Sequence, residues 1–88
     1  MLKNLVILLL SLFVSCALAA PVDINNASAD NIAKALKGIG PSKAAAIVQF
    51  RIDNGPFKAI DELKYVKGVG QKIIDINRND IIILSDNN

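Results

Sequence analysis

The 88-residue chain contains no histidine and a single cysteine, Cys16. The first absence excludes histidine-based acid–base catalysis and histidine-ligated metal sites. The second excludes an internal disulfide. Charge of one sign is also scarce, since ten basic residues face eight acidic ones and the net charge is only +2. Any attraction to a charged partner must therefore come from where the charges sit rather than from their sum. Long apolar runs are missing as well. A membrane-spanning helix needs roughly 20 predominantly apolar residues, whereas the strongest run, Leu5 to Val14, is interrupted by Ser11 and stops there.

That run has a different meaning. Met1-Leu2-Lys3-Asn4 carries one positive charge, the apolar stretch follows, and Ser15 to Ala20 is small and weakly polar. This is the three-part layout of a secretory signal peptide, and Ala17-Leu18-Ala19 places small residues at both specificity positions of a cleavage site. Residues 1–19 are accordingly read as a signal peptide cut after Ala19. A retained membrane anchor is the alternative, and its apolar run is too short. A lipid-attachment site at Cys16 is disfavoured by Phe13 where leucine is usual. After cleavage Lys3 and Cys16 are gone, leaving nine basic and eight acidic residues and a net charge of +1. The remaining chain divides into a linker at 20–23, a domain at 24–84 and a tail at 85–88. A core of this size gives only a few kcal/mol of stability, so short, locally well-specified helices are expected.

The most informative feature is an internal repeat with a period of 30. Lys34-Ala35-Leu36-Lys37-Gly38-Ile39-Gly40 aligns with Lys64-Tyr65-Val66-Lys67-Gly68-Val69-Gly70, with four identities and two aliphatic exchanges. Around each glycine pair the pattern is helical. Ile32, Ala35, Leu36 and Ile39 share one helix face, as do Ala44, Ile47, Val48 and Ile52 further on. Asn26 or Ser28 can cap the first helix, Asp30 complements its dipole, and Pro41 suits the first position of the second. Gly55-Pro56 ends that second helix. Phe57 and Ile60 are candidate core residues before a short third helix starting near Asp61-Glu62, with Leu63 and Val66 on its apolar face. A fourth helix starts near Gln71 with Ile73, Ile74 and Ile76 apolar and frays near Asn79. The segment Ile81 to Leu84 is too short and too β-branched for a helix and is expected to lie extended over the open end of the core. The fold class is all-α, a tandem helix-hairpin-helix of four to five short helices around one small core.

A glycine–hydrophobic–glycine turn between two short helices has a chemical use. The glycines permit a sharp turn and close approach of the backbone to another surface. The central Ile39 or Val69 points inward, while main-chain N–H groups of the turn and of the next helix point out at a positive dipole end. Such a cradle suits an anion, above all a phosphate. Lys43 and Lys72 sit in the first turn after the hairpins, and Lys37 and Lys67 just before the glycines add supporting positive charge. A single Gly-x-Gly often makes a tight turn and nothing more. Two of them, each flanked by lysines, point to a binding device.

At this point the sequence resembles a known family. Val22 to Ala29, Gly38-Ile39-Gly40-Pro41-Ser42-Lys43-Ala44, Asn54-Gly55-Pro56-Phe57-Lys58, Asp61-Glu62-Leu63 and Val66-Lys67-Gly68-Val69-Gly70 are similar to ComEA-type competence proteins, over essentially the whole segment after the signal peptide. The resemblance implies a double helix-hairpin-helix that binds duplex DNA through its phosphates without sequence preference. The implied contact residues are Gly38, Ile39, Gly40, Lys43, Gly68, Val69, Gly70 and Lys72, and Ser42 and Gln71 beside them complete the candidate DNA-binding set. It further implies a periplasmic receptor that retains DNA during uptake for natural transformation, with pore or pilus components as further partners. The chain departs from the family pattern at Ala59, where a capping serine is usual, and at Ile74, where the repeat position Ala44 is small. No catalytic residue, metal site, cofactor or small-molecule substrate is expected, and no membrane span after processing. An enzyme of the nuclease or base-excision type fails on size. The competing reading is a helical protein–protein interaction module of a secretion or pilus-type envelope machine, but retained lysines favour DNA.

Overall fold

The computed structural model describes residues 21–84, so the signal-peptide reading of 1–19 and the tail at 85–88 lie outside the described residues. Three α-helices, α1 (Ala29–Ala35), α2 (Pro41–Asn54) and α3 (Gln71–Asn77), carry the fold. Two 3-10 helices, Ile60–Tyr65 and Arg78–Asp80, precede and follow α3. The architecture matches the expected all-α tandem, with one addition. Two short strands, β1 (Val22–Asp23) and β2 (Ile81–Ile82), pair in parallel in the register Val22 to Ile81 and Asp23 to Ile82.

Local chemistry explains the helix boundaries. Ser28 caps α1, its Oγ accepting from the Asn31 N–H at 3.1 Å, and Asp30 pairs with Lys34 one turn on at 3.1 Å in full solvent exposure. Pro41 opens α2, and Gly55, with φ 91°, closes it by donating to the Arg51 carbonyl. That positive φ lies in a region open essentially to glycine alone. The third helix is 3-10 rather than α, and Ala59 offers it no capping side chain. Glu62 supplies part of what is missing, its carboxylate accepting from the Lys58 N–H at 2.9 Å.

The core gathers Ile24, Ile32, Ile47, Phe57, Leu63 and Ile74, each almost fully buried, with Ala44 in the first turn of α2. Phe57 stacks on Phe50, ring centroids 5.3 Å apart. Asn25 holds the main chain of Phe57 from both sides, its Oδ1 accepting from the N–H at 2.7 Å and its Nδ2 donating to the carbonyl at 2.9 Å. The linker between the two hairpin units is thereby fixed to the segment before the first. Three residues assigned to apolar stripes lie outside the core. Ala35, Ile52 and Ile76 are exposed, since each short helix buries a stripe narrower than the periodicity suggests. The linker reading of 20–23 also needs revision at its end: Val22 is buried and belongs to a strand. Ile81 is buried beside it, whereas Ile82 and Leu84 are exposed, so only part of the terminal segment covers the core.

Asp23 organises this closure. Its carboxylate accepts from the N–H groups of Asn25 (3.0 Å) and Leu84 (3.2 Å) and from the Asn26 amide. Partial burial opposes its ionisation, but those hydrogen bonds and the nearby Arg51 guanidinium outweigh it and hold the carboxyl below its ordinary value. A carboxyl depressed on folding stabilises the fold above its unfolded pKa, and this is lost as pH falls through its folded pKa. Thermal melts should therefore fall steeply below about pH 4. Asp23→Asn should flatten that fall, and an unchanged acid limb would assign it elsewhere.

Among the described residues no helix is long and apolar enough to cross a membrane.

Candidate nucleic-acid interface

Each hairpin joins a short helix to the next helix through two glycines with different jobs. The first glycine of each pair carries the strained turn, with φ 74° at Gly38 and 91° at Gly68. The second does not. Gly40 (φ −85°) and Gly70 (φ −101°) are in extended backbone that any residue adopts. A Cβ built at either would meet nothing within 4 Å. Both occupy the N-cap position of the following helix, and neither supplies a capping side chain. Serine or aspartate would satisfy an orphan N–H there, so the fold forgoes capping at both places.

Between the glycines, Ile39 and Val69 are buried as the sequence implied. The first intrahelical bonds run from Ala44 N–H to the Gly40 carbonyl and from Ile74 N–H to the Gly70 carbonyl. The amides of Ser42 and Lys43, and of Gln71, Lys72 and Ile73, thus precede the helical ladder and face outward at the positive end of the dipole.

The two hairpins lie against each other. A Cβ on Gly68 would come within 3.5 Å of the Lys43 side chain, and one on Gly38 within 3.8 Å of Ile73. Positions 43 and 73 are repeat counterparts, as are 38 and 68, so the packing is reciprocal and the units are related by an approximate two-fold. In this register Lys43 and Lys72 are not counterparts, although each lies in the first turn of its helix. Lys72 is the counterpart of Ser42 and is exposed. Lys43 is half-buried, its stem laid along hairpin 2 and its Nζ 3.5 Å from the Gly38 carbonyl of its own hairpin. It sits on the seam, and Lys72 sits at the rim. Lys37 and Lys67 are exposed, and among the described residues neither they nor Lys72 pair with a carboxylate.

Gln71 is placed differently from expectation. Its side-chain amide turns to Asp75 (3.1 Å) and Asp61 (3.4 Å), and Arg78 bridges the same two carboxylates at 2.8 and 2.7 Å. The Arg78 hydrogen bonds hold both aspartates below their ordinary pKa and push the guanidinium up. The main-chain N–H of Gln71 stays outside this network and precedes the helical ladder. Arg78 stands beside hairpin 2 but is spent on these carboxylates.

One residue escaped sequence reasoning altogether. Asn77, almost fully buried, bonds the main chain of Lys37 immediately before hairpin 1. The signal was available, since Asn77 falls on the α3 face of Ile73 and Ile74, where an apolar residue is expected. Among the described residues no group of three or more histidine, cysteine or acidic side chains could hold a metal ion.

Short helices in tandem, reciprocal glycine turns and a shared core define a double helix-hairpin-helix. The family model described as the helix-hairpin-helix motif matches residues 19–82, and the chain belongs to that family. An uncharacterized protein of Haemophilus influenzae is 44% identical over 61 residues, covering 69% of this chain and 54% of that protein. ComE operon protein 1 of Bacillus subtilis is 36% identical over 64 residues, covering 73% of this chain and 31% of that protein. The ComEA-type resemblance holds across this matched segment. The chain spans about half the length of the first relative and under a third of the second.

Proposed function

We propose that the two hairpins bind duplex DNA through its phosphates, without sequence preference, in a protein of the competence system. This is a binding module and not an enzyme. The observation that carries the reading is the pair Gly40 and Gly70. Neither backbone conformation nor local packing requires glycine there, and both positions forgo a capping side chain. A missing Cβ at both places is what close approach of a phosphate to the helix-opening amides requires. Membership of the helix-hairpin-helix family and the similarity to ComE operon protein 1 support DNA as the partner.

Each hairpin would hold one strand, the reciprocal packing setting their spacing across the minor groove. Main-chain amides of Gly38 to Gly40, Ser42 and Lys43 would serve one phosphate run, and those of Gly68, Gly70, Gln71 and Lys72 the other, the Val69 N–H being donated to the Val66 carbonyl. The ammonium groups of Lys43 and Lys72 add charge, with Lys37 and Lys67 in support. Such contacts position the duplex and carry no sequence information. Export through residues 1–19 would place the domain in the periplasm, where bound copies retain entering DNA as a receptor and ratchet. Pore or pilus components are further candidate partners.

If about four phosphates are neutralised, log K should fall with log salt at a slope near −3.6. Gel shifts with random-sequence duplex across a salt series measure it, and a flat response would remove the electrostatic part of the proposal. Lys43→Glu with Lys72→Glu should weaken binding by at least tenfold at low salt. Unchanged retention by the folded double variant would speak for a protein partner.

A further inference from the structure

We infer that Asn77 is a positioning residue for hairpin 1, and that it sets the geometry of that hairpin from the helix leaving hairpin 2. Its Oδ1 accepts from the Lys37 N–H at 2.8 Å. Its Nδ2 donates to the Lys37 carbonyl at 2.8 Å and to the Ile73 carbonyl at 2.9 Å. The side chain is 1% exposed and is the one buried polar residue among those described. One amide thus holds both main-chain groups of the residue before Gly38 and ties them to α3.

The arrangement is one-sided. The repeat counterpart of Asn77 is Ile47, fully buried and apolar, so the main chain of Lys67 receives no matching clamp among the described residues. A buried amide with all its hydrogen bonds made is geometrically demanding in a way that an isoleucine is not. Hairpin 1 is therefore tied to α3 by direction-specific side-chain bonds, while hairpin 2 has packing and its own Val69 N–H to Val66 carbonyl bond at 3.0 Å. The Lys37 amide is consumed by this clamp, so the main-chain donors left to hairpin 1 begin after it. In functional terms the inference rests on the DNA-binding reading above. Asn77 touches no phosphate and acts through the placement of Gly38 to Gly40.

The test combines amide hydrogen exchange with duplex affinity in the purified protein. Asn77→Asp keeps an acceptor for the Lys37 N–H but turns a carboxylate toward two carbonyl oxygens, which raises its pKa. At pH 8 its affinity for random-sequence duplex should be weaker by on the order of tenfold. Toward pH 5, protonation restores a donor and the gap to the parent should close. Asn77→Leu, similar in volume and without polar groups, should show the loss at both pH values.

At pH 8, in either folded variant the amides of Gly38 to Gly40 should exchange at least about tenfold faster while those of Gly68 to Gly70 hold their rates. Equal acceleration in both hairpins, or none, would overturn the assignment, as would an affinity gap in Asn77→Asp that ignores pH. Should neither variant fold, the parent decides: a Lys37 amide exchanging about tenfold slower than that of Lys67 supports the clamp, and equal rates overturn it. A parent that retains no duplex would sink the DNA reading, while the exchange comparison would still decide the positioning role.

Discussion

The double variant Gly40→Asp, Gly70→Asp is expected to lose duplex binding by at least about 100-fold while remaining as stable as the parent or slightly more so, because like charges set against each other at an interface cost several kcal/mol. Both positions lie in extended backbone, and a Cβ there meets open space, so aspartate introduces no strain. At an N-cap it accepts from an orphan N–H and faces the positive end of the dipole, which favours the helix by a few tenths to about 1 kcal/mol. The same carboxylates would stand where the proposal puts phosphates. Fluorescence anisotropy and thermal melts on one preparation test both halves. Retained binding by a well-folded double variant would remove the main-chain cradle from the mechanism. The converse substitutions, Gly38→Ala and Gly68→Ala, should behave in the opposite sense. Positive φ at these positions makes each cost about 1 kcal/mol or more.

Phe57→Ala is expected to leave the domain largely unfolded at 25 °C. Truncating a buried phenylalanine costs about 3–5 kcal/mol, comparable with the whole stability a core of this size provides. The ring is 2% exposed and stacks on Phe50 of α2, while the main chain is held by Asn25. Its loss therefore loosens α2, the linker and the segment before α1 together. Circular dichroism and urea titration give the answer. A cooperative melt within a few degrees of the parent would show that the two hairpin units hold together without this plug.

Much of the fold was legible because the repeat reports it twice. The 30-residue period, Pro41, Gly55-Pro56 and the alternation of buried residues around Ile39 and Val69 are local signals, and local signals set these short helices. What sequence reading missed is non-local. The parallel pairing of Val22–Asp23 with Ile81–Ile82 depends on segments from the two ends of the domain meeting, which no window of pattern reveals. The amide clamps of Asn25 and Asn77 depend on partners 32 and 40 residues away. At the site, the glycines and lysines were identifiable from spacing. Their unequal roles were not, because they follow from backbone conformation and from the register that sets Lys43 against Gly68. Gln71 is placed at the interface by position alone, whereas its side chain turns to Asp75 one turn along α3, a local pairing, and to Asp61 on the preceding 3-10 helix.

The β1–β2 ladder also bears on the timing of folding. Its partners are about 60 residues apart in sequence, so the loop they close carries a large entropic cost, recovered only once most of the intervening structure exists. Val22 completes its burial beside Ile81, and Asp23 completes its hydrogen bonds with Leu84. A chain emerging from its amino end therefore cannot seal the first hairpin unit until residues 81–84 arrive.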